Sequence, residues 1–267
     1  MGVNLFMHSV RLVLGDWQNA LRVTGVLYLI YAIPALILGL MAPAPPPGAS
    51  PEQVAAAIGA AAPAGIITTL LLAVVYVWLA VTWHRYILLN EQPEGQLPPF
   101  RRSEILAYAG NAILLVLIMI AFSIVVGLIL SPLLLLGIIG AIIMPIVFIS
   151  LALIVDYRLG LVLPARAIGQ RLTFGESWAA TKGESGTILV LAIISAVAAV
   201  LITIPGMVLA FVPGIGGILS LLWQLATGWV TLVVGVSLLT TLYGVYIEKR
   251  SIPNDARNLR CGLKPGV

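Results

Sequence analysis

The sequence predicts an all-α membrane protein with six transmembrane helices in three hairpins and short amphipathic interfacial helices. Three observations carry this prediction. First, 61% of the 267 residues are hydrophobic, 9% are charged, and the mean hydropathy is +1.11, whereas soluble domains carry about 25% charged residues. Second, the apolar runs have bilayer length, since a hydrocarbon core of about 30 Å needs about 20 mostly apolar residues per helix. Third, the 14 basic residues all fall in segments that a six-span layout with both ends inside puts on one side. That is the bias expected of cytoplasmic loops, and it orients the chain with both termini cytoplasmic.

The elements follow in order. Val3 to Leu14 mixes apolar residues with His8, Ser9 and Arg11 and reads as an amphipathic helix on the membrane surface. It lacks the compact apolar core and small-residue cleavage site of a signal peptide. Asp16 is placed to cap the next helix. The first span is Arg22 to Met41, interrupted by Pro34. "APAPPPGASP" cannot be helical, because proline fixes φ and removes donors. An alanine-rich stretch from Glu52 to Ala62 is expected as a separate short helix before Pro63. The second span, Ala64 to Thr82, ends in Trp83-His84-Arg85-Tyr86, an aromatic and basic interface signature.

The apolar run from Ile105 to Val155 would be roughly 76 Å long as one helix, so it must fold back. Ser131-Pro132 is the natural turn, since proline suits the first turn of a helix. Spans three and four are therefore Ile105 to Leu130 and Pro132 to Val155. The fifth is Thr187 to Ile204 and the sixth Ile218 to Tyr246, separated by Pro205-Gly206 and Pro213-Gly214. The odd spans start near positions 22, 105 and 187, which suggests a threefold hairpin repeat. Residues 1–247 form one transmembrane bundle and 248–267 a cytoplasmic tail.

Several chemistries are not supported. Apart from Arg22 at the edge of the first, the expected spans hold no Asp, Glu, Lys, Arg or His, the usual marks of proton relays. Their polar residues, such as Gln224, Ser237 and Thr240, read as helix-to-helix or i−4 hydrogen bonding. Ala192 with Ala196, and Gly137 with Ala141, are spaced four apart and read as close-packing faces. One cysteine, Cys261, and two histidines, His8 and His84, are too few for a zinc site. "GESWA" and "GESGT" lack the last glycine of a nucleophile elbow. No catalytic residue, cofactor, metal or nucleic-acid partner is expected.

A charged stretch, Ile154 to Gly183, lies between two of the most apolar runs. A helix does not bring Asp156 and Arg158, two apart, face to face. Asp156 therefore needs a partner such as Arg85 or Arg101. Tyr157 and Trp178 suit the headgroup level, and Arg158, Arg166 and Arg171 suit anionic lipid. Thr173-x-x-Glu176 is a capping box starting the helix of Trp178. The candidate contacts for a charged headgroup or a protein partner are Arg85, Asp156, Tyr157, Arg158, Arg166 and Trp178. Two readings stay open: a structural boundary anchored in lipid, or a shared pocket for a headgroup or partner.

"DYRLGLVLPARAIG…FGESWAATKG", with its Asp-Tyr-Arg exit, Leu-Pro-Ala turn and Ser-Trp-x-x-Thr-x-Gly helix, resembles a family of bacterial polytopic inner-membrane proteins of unassigned activity. That family is loosely related to the membrane domain attached to some glycerophosphodiester phosphodiesterases. The resemblance implies a membrane module in the bacterial inner (plasma) membrane. The Glu/His metal site of the soluble phosphodiesterase has no counterpart here, so hydrolysis is not implied. The expected function is that of a non-enzymatic integral membrane protein. It would be lipid-associated or a scaffold or accessory subunit of a membrane complex, with membrane lipids, a membrane protein or a second copy as partner. The alternative is a transporter of a neutral or amphipathic small solute.

Overall fold

The computed structural model describes residues 1–41, 48–92, 95 and 97–251, apart from the side chains of 39 and 40. Most of the proline-rich loop, and the tail with Arg257, Arg260, Cys261 and Lys264, lie outside the described residues. Among the described residues all regular structure is helical. Six helices are long and apolar enough to cross a membrane.

Helix α1 (Gly2–Leu14) is amphipathic, but its apolar face is covered by protein. Leu5, His8, Ser9, Leu12 and Val13 are buried against α8 (Ser185–Leu201) and α10 (Gly216–Tyr246). The surface helix expected here is thus a wedge between two later helices. Close approach explains it: a Cβ on Gly2 would sit 2.7 Å from the Thr187 carbonyl oxygen. Helix α2 (Trp17–Met41) starts after Asp16, whose carbonyl accepts the Ala20 N–H at 3.0 Å. The Asp16 carboxylate accepts from the Asn19 amide.

Helix α3 runs unbroken from Pro51 to Leu88. The separate alanine-rich helix and the later span are one element. Ser50 and Gln53 form a reciprocal capping box, Pro51 is compatible with the first turn, and alanine is the best helix former. Pro63 removes one backbone bond without ending the helix. At 38 residues, α3 is roughly 57 Å long, almost twice the hydrocarbon core.

Helix α4 (Arg102–Leu130) passes through a 3₁₀ turn, Ser131–Leu136, into α5 (Ile138–Leu159). The fourth span therefore starts at Ile138, not Pro132. Gly137 is the hinge, with φ +64°, a conformation open to glycine at little cost. It lies outside the helix and does not form a packing face with Ala141. Two short helices follow, α6 (Val162–Ala167) and α7 (Phe174–Ala180). After α8, α9 (Ile204–Ala210) leads into α10. Helix α8 packs on α5 and α1, and Ala192 and Ala196 of the expected small-residue face are fully buried.

Helix α10 is the axis. Half of its membrane-length window is buried, against 11% for α4 and for α5. Its hydroxyls hold two other helices. Ser237 donates to the Val233 carbonyl and accepts the Trp83 indole N–H at 2.8 Å. Thr240 donates to the Val236 carbonyl and lies 2.8 Å from His84 Nδ1. Thr241 meets Ser9 of α1 at 2.9 Å. Trp83 and His84 are both 0% exposed, so the expected interface pair is in the core. An aromatic-basic cluster at a span end looks the same in sequence whether lipid or a neighbouring helix receives it.

The core is concentrated at the end of the bundle that carries the arginines. Short α6 plugs it, with Val162, Leu163, Ala165 and Ala167 buried against α3, α4 and α10. At the opposite end, Leu135 and Phe211 are 89% and 86% exposed.

Candidate functional site

Five arginines among the described residues are buried or partly buried: Arg85, Arg101, Arg158, Arg166 and Arg250. Three of them have carboxylate partners. Arg85 Nε binds Glu91 at 2.6 Å, Arg85 also lies 3.9 Å from Glu104, and Arg101 binds the other oxygen of Glu91. Arg250 binds Glu248 at 2.6 Å. Burial holds the Glu248 carboxyl above its usual range, partly offset by Arg250. Arg158 and Arg166 have no carboxylate within 4.0 Å among the described residues.

Arg158 is the more confined of the two, at 9% exposed. It ends α5, where a cation suits the helix dipole. One terminal nitrogen donates to Ser185 Oγ at 2.6 Å. The guanidinium carbon lies 4.8 Å from the centre of the Trp178 ring, a cation–π distance. The backbone is pinned too, because Ser177 donates to the Arg158 carbonyl at 2.6 Å. The Thr173–Glu176 capping box forms as expected and sets the start of α7, which carries both Ser177 and Trp178. The Thr173 N–H and hydroxyl hold the Glu176 carboxyl below its usual range. Trp178 itself is 42% exposed. The arrangement is a hydrogen-bonded, stacked cation with an exposed aromatic rim and unmatched charge. Its Nε is buried without a partner, as is that of Arg166.

The other candidates lie elsewhere. Tyr157 packs in the core. Arg85 is a structural clamp that also donates to the Ala167 carbonyl at 3.0 Å. With Arg101 and Glu91 it lines a cavity of about 410 Å³ that also touches Val81, Thr82 and Leu97. Asp156 pairs with neither Arg85 nor Arg101, contrary to expectation. Glu91, six and ten residues from them, takes both arginines. Sequence reasoning missed Ser177 and Ser185, because no local pattern says which distant turn a serine will reach. No family model, curated protein or solved structure matches the chain.

Proposed function

We propose that the protein is a non-enzymatic, lipid-associated module of the bacterial inner membrane, holding an anionic phospholipid headgroup at Arg158 and Trp178. The observation that carries this reading is the contrast among the arginines. The other clamped ones are matched by carboxylates, while Arg158 is held in place by Ser185 and Trp178 with its charge uncompensated. A phosphate can accept from a guanidinium as a carboxylate does, and a half-exposed tryptophan suits the headgroup level. Arg166 adds a second unmatched cation on the same connection. The one-sided basic residues support placing this end, and both termini, in the cytoplasm. The resemblance of "DYRLGLVLPARAIG" to an inner-membrane module points the same way.

The test is lipid retention by the full chain, purified in mild detergent and weighed by native mass spectrometry against matched phosphatidylglycerol and phosphatidylethanolamine. Arg158→Gln loses about 1 kcal/mol of attraction near an anionic surface, so its preference for phosphatidylglycerol should fall about fivefold. Arg158→Lys keeps the charge but loses the planar stack and should fall less. Equal retention by parent and Arg158→Gln would refute the reading.

A further inference from the structure

We propose that a crevice at mid-bilayer depth, between α2, α3 and α10, binds an uncharged single-chain lipid that carries a hydroxyl group. Depth follows from helix register. Thr24 of α2 accepts the Trp229 indole N–H at 2.9 Å, and Tyr28 donates to the Leu225 carbonyl at 2.9 Å. One turn forward on α2 thus matches one turn back on α10, and the two helices run antiparallel. Arg22 is the one charged residue of α2, and a cation marks the edge of a span rather than its middle. From Arg22 to Tyr31 is roughly 13.5 Å along the axis, close to half of a hydrocarbon core about 30 Å thick. Gln224, the residue before Leu225, is at the same level and lines the same crevice as Tyr31.

The crevice holds about 360 Å³, within the range of small-molecule sites. Tyr28 and Tyr31 of α2 and Leu72 of α3 are among its walls. Small residues open it: Ala32 and Ala35 on α2, and Gly228 on α10. Gly228 is also what lets Tyr28 dock. A Cβ there would sit 2.7 Å from the Tyr28 hydroxyl and would push it off the Leu225 carbonyl.

Two hydrogen-bonding groups in this space are unused. Gln224 is exposed, and its amide nitrogen donates to Ser220 Oγ of its own helix at 3.2 Å. The interhelical bond expected of this residue does not form. Its carbonyl oxygen accepts no hydrogen bond among the described residues. Tyr31 stands edge-on to Tyr28 at 6.4 Å, and its hydroxyl has no hydrogen-bond partner among the described residues. By contrast, Thr227 nearby is satisfied by the Trp223 carbonyl at 2.7 Å. At hydrocarbon depth no water offsets an unmade hydrogen bond.

These groups define the ligand. No charged side chain lines the crevice, so an ion would be left without a counter-charge. The Gln224 oxygen is an acceptor and needs a donor, which a hydroxyl supplies. The Tyr31 hydroxyl can then donate to the oxygen of that same group. The apolar walls take the chain. A recess near the lower limit of ligand-site volumes takes one chain and its head, not a helix about 10 Å across. The site is separate from the headgroup contact at Arg158, since no lining residue comes from α5, α7 or α8.

The test is photolabelling of the full chain in lipid nanodiscs with hexadecanol bearing a diazirine on its chain, against the matching hexadecane that lacks the hydroxyl. Mass spectrometry locates the labelled peptides. The expected result is labelling of α2 and α10 around the crevice, displaced by excess unlabelled hexadecanol. It should be about fivefold stronger for the alcohol than for the alkane, the ratio one hydrogen bond supplies. Gln224→Leu takes a polar group out of the lipid-facing surface, so it should melt no lower than the parent while the alcohol labels no better than the alkane. Tyr31→Phe keeps the ring and should also reduce the preference, and Ala35→Phe should fill the space and lower labelling by both probes. A preference for the alcohol that stays undiminished in Gln224→Leu or in Tyr31→Phe would overturn the proposal. So would labelling spread evenly over all six membrane helices. A disulfide dimer of Gln224→Cys that forms equally with and without excess hexadecanol would also overturn it, because a second copy would then cover the amide.

Discussion

Replacing Ser237 by alanine tests whether α10 is held to α3 by side-chain hydrogen bonds or by apolar packing alone. Ser237 and Trp83 are both 0% exposed, and the indole N–H reaches the serine oxygen at 2.8 Å. The substitution removes one atom and leaves that N–H facing no acceptor. A buried, unsatisfied donor costs about 1–3 kcal/mol. Polar contacts between membrane helices average about 0.6 and reach about 1.7 kcal/mol, since an inserted but unpacked chain finds other partners. Full enclosure at Ser237 puts the expected loss at the upper end of that range, about 1–2 kcal/mol. Reversible unfolding in mixed micelles would measure it, with exposed Thr231→Ala as a control within about 0.5 kcal/mol of the parent. Trp83→Phe removes the donor, so most of the cost of Ser237→Ala should vanish in that background. If Ser237→Ala behaves like Thr231→Ala, or costs as much without the indole as with it, the hydrogen-bond account of α10 is wrong.

Two further outcomes follow from α1. Gly2→Val places a side chain where a Cβ alone would sit 2.7 Å from the Thr187 carbonyl and 3.0 Å from the Leu191 nitrogen. Both are backbone atoms that cannot swing aside, so α1 should be displaced and an engineered disulfide between α1 and α8 should form less readily. His8 is lowered below its usual titration range by burial and then by Arg11. The folded state therefore binds fewer protons than the unfolded one. Stability from this group is complete above about pH 6.5 and is lost as pH falls from there through the lowered folded value. Melting of the parent should decline across that window more steeply than that of His8→Gln, and equal slopes would remove His8 as the cause.

The spans were legible because bilayer length and hydropathy constrain each helix separately. Ser185 to Leu201 and Gly216 to Tyr246 could be found from local sequence to within a few residues. The Thr173–Glu176 box was legible for the same reason, since its partners are three residues apart. Destinations were not. Nothing near Trp83 and His84 reveals that hydroxyls more than 150 residues later will receive them. The amphipathic pattern of α1 does not say whether lipid or protein covers its apolar face. At the candidate site, Arg158 and Trp178 were identifiable from composition at a span boundary. The proposed pairing of Asp156 failed because Glu91 lies closer along the chain to both arginines.

The placement of α1 also bears on how the protein is made. Ser9 meets Thr241 across 232 positions, so α1 leaves the ribosome long before α10, the helix it docks against. Until α10 arrives, Ser9 and His8 have no finished seat, and the nascent chain carries α1 undocked. Assembly is then a closure in which the insertion of α10 locks the much earlier α1. Chains interrupted before residue 241 would present a loose α1, a mark by which a membrane protease could distinguish incomplete from complete molecules.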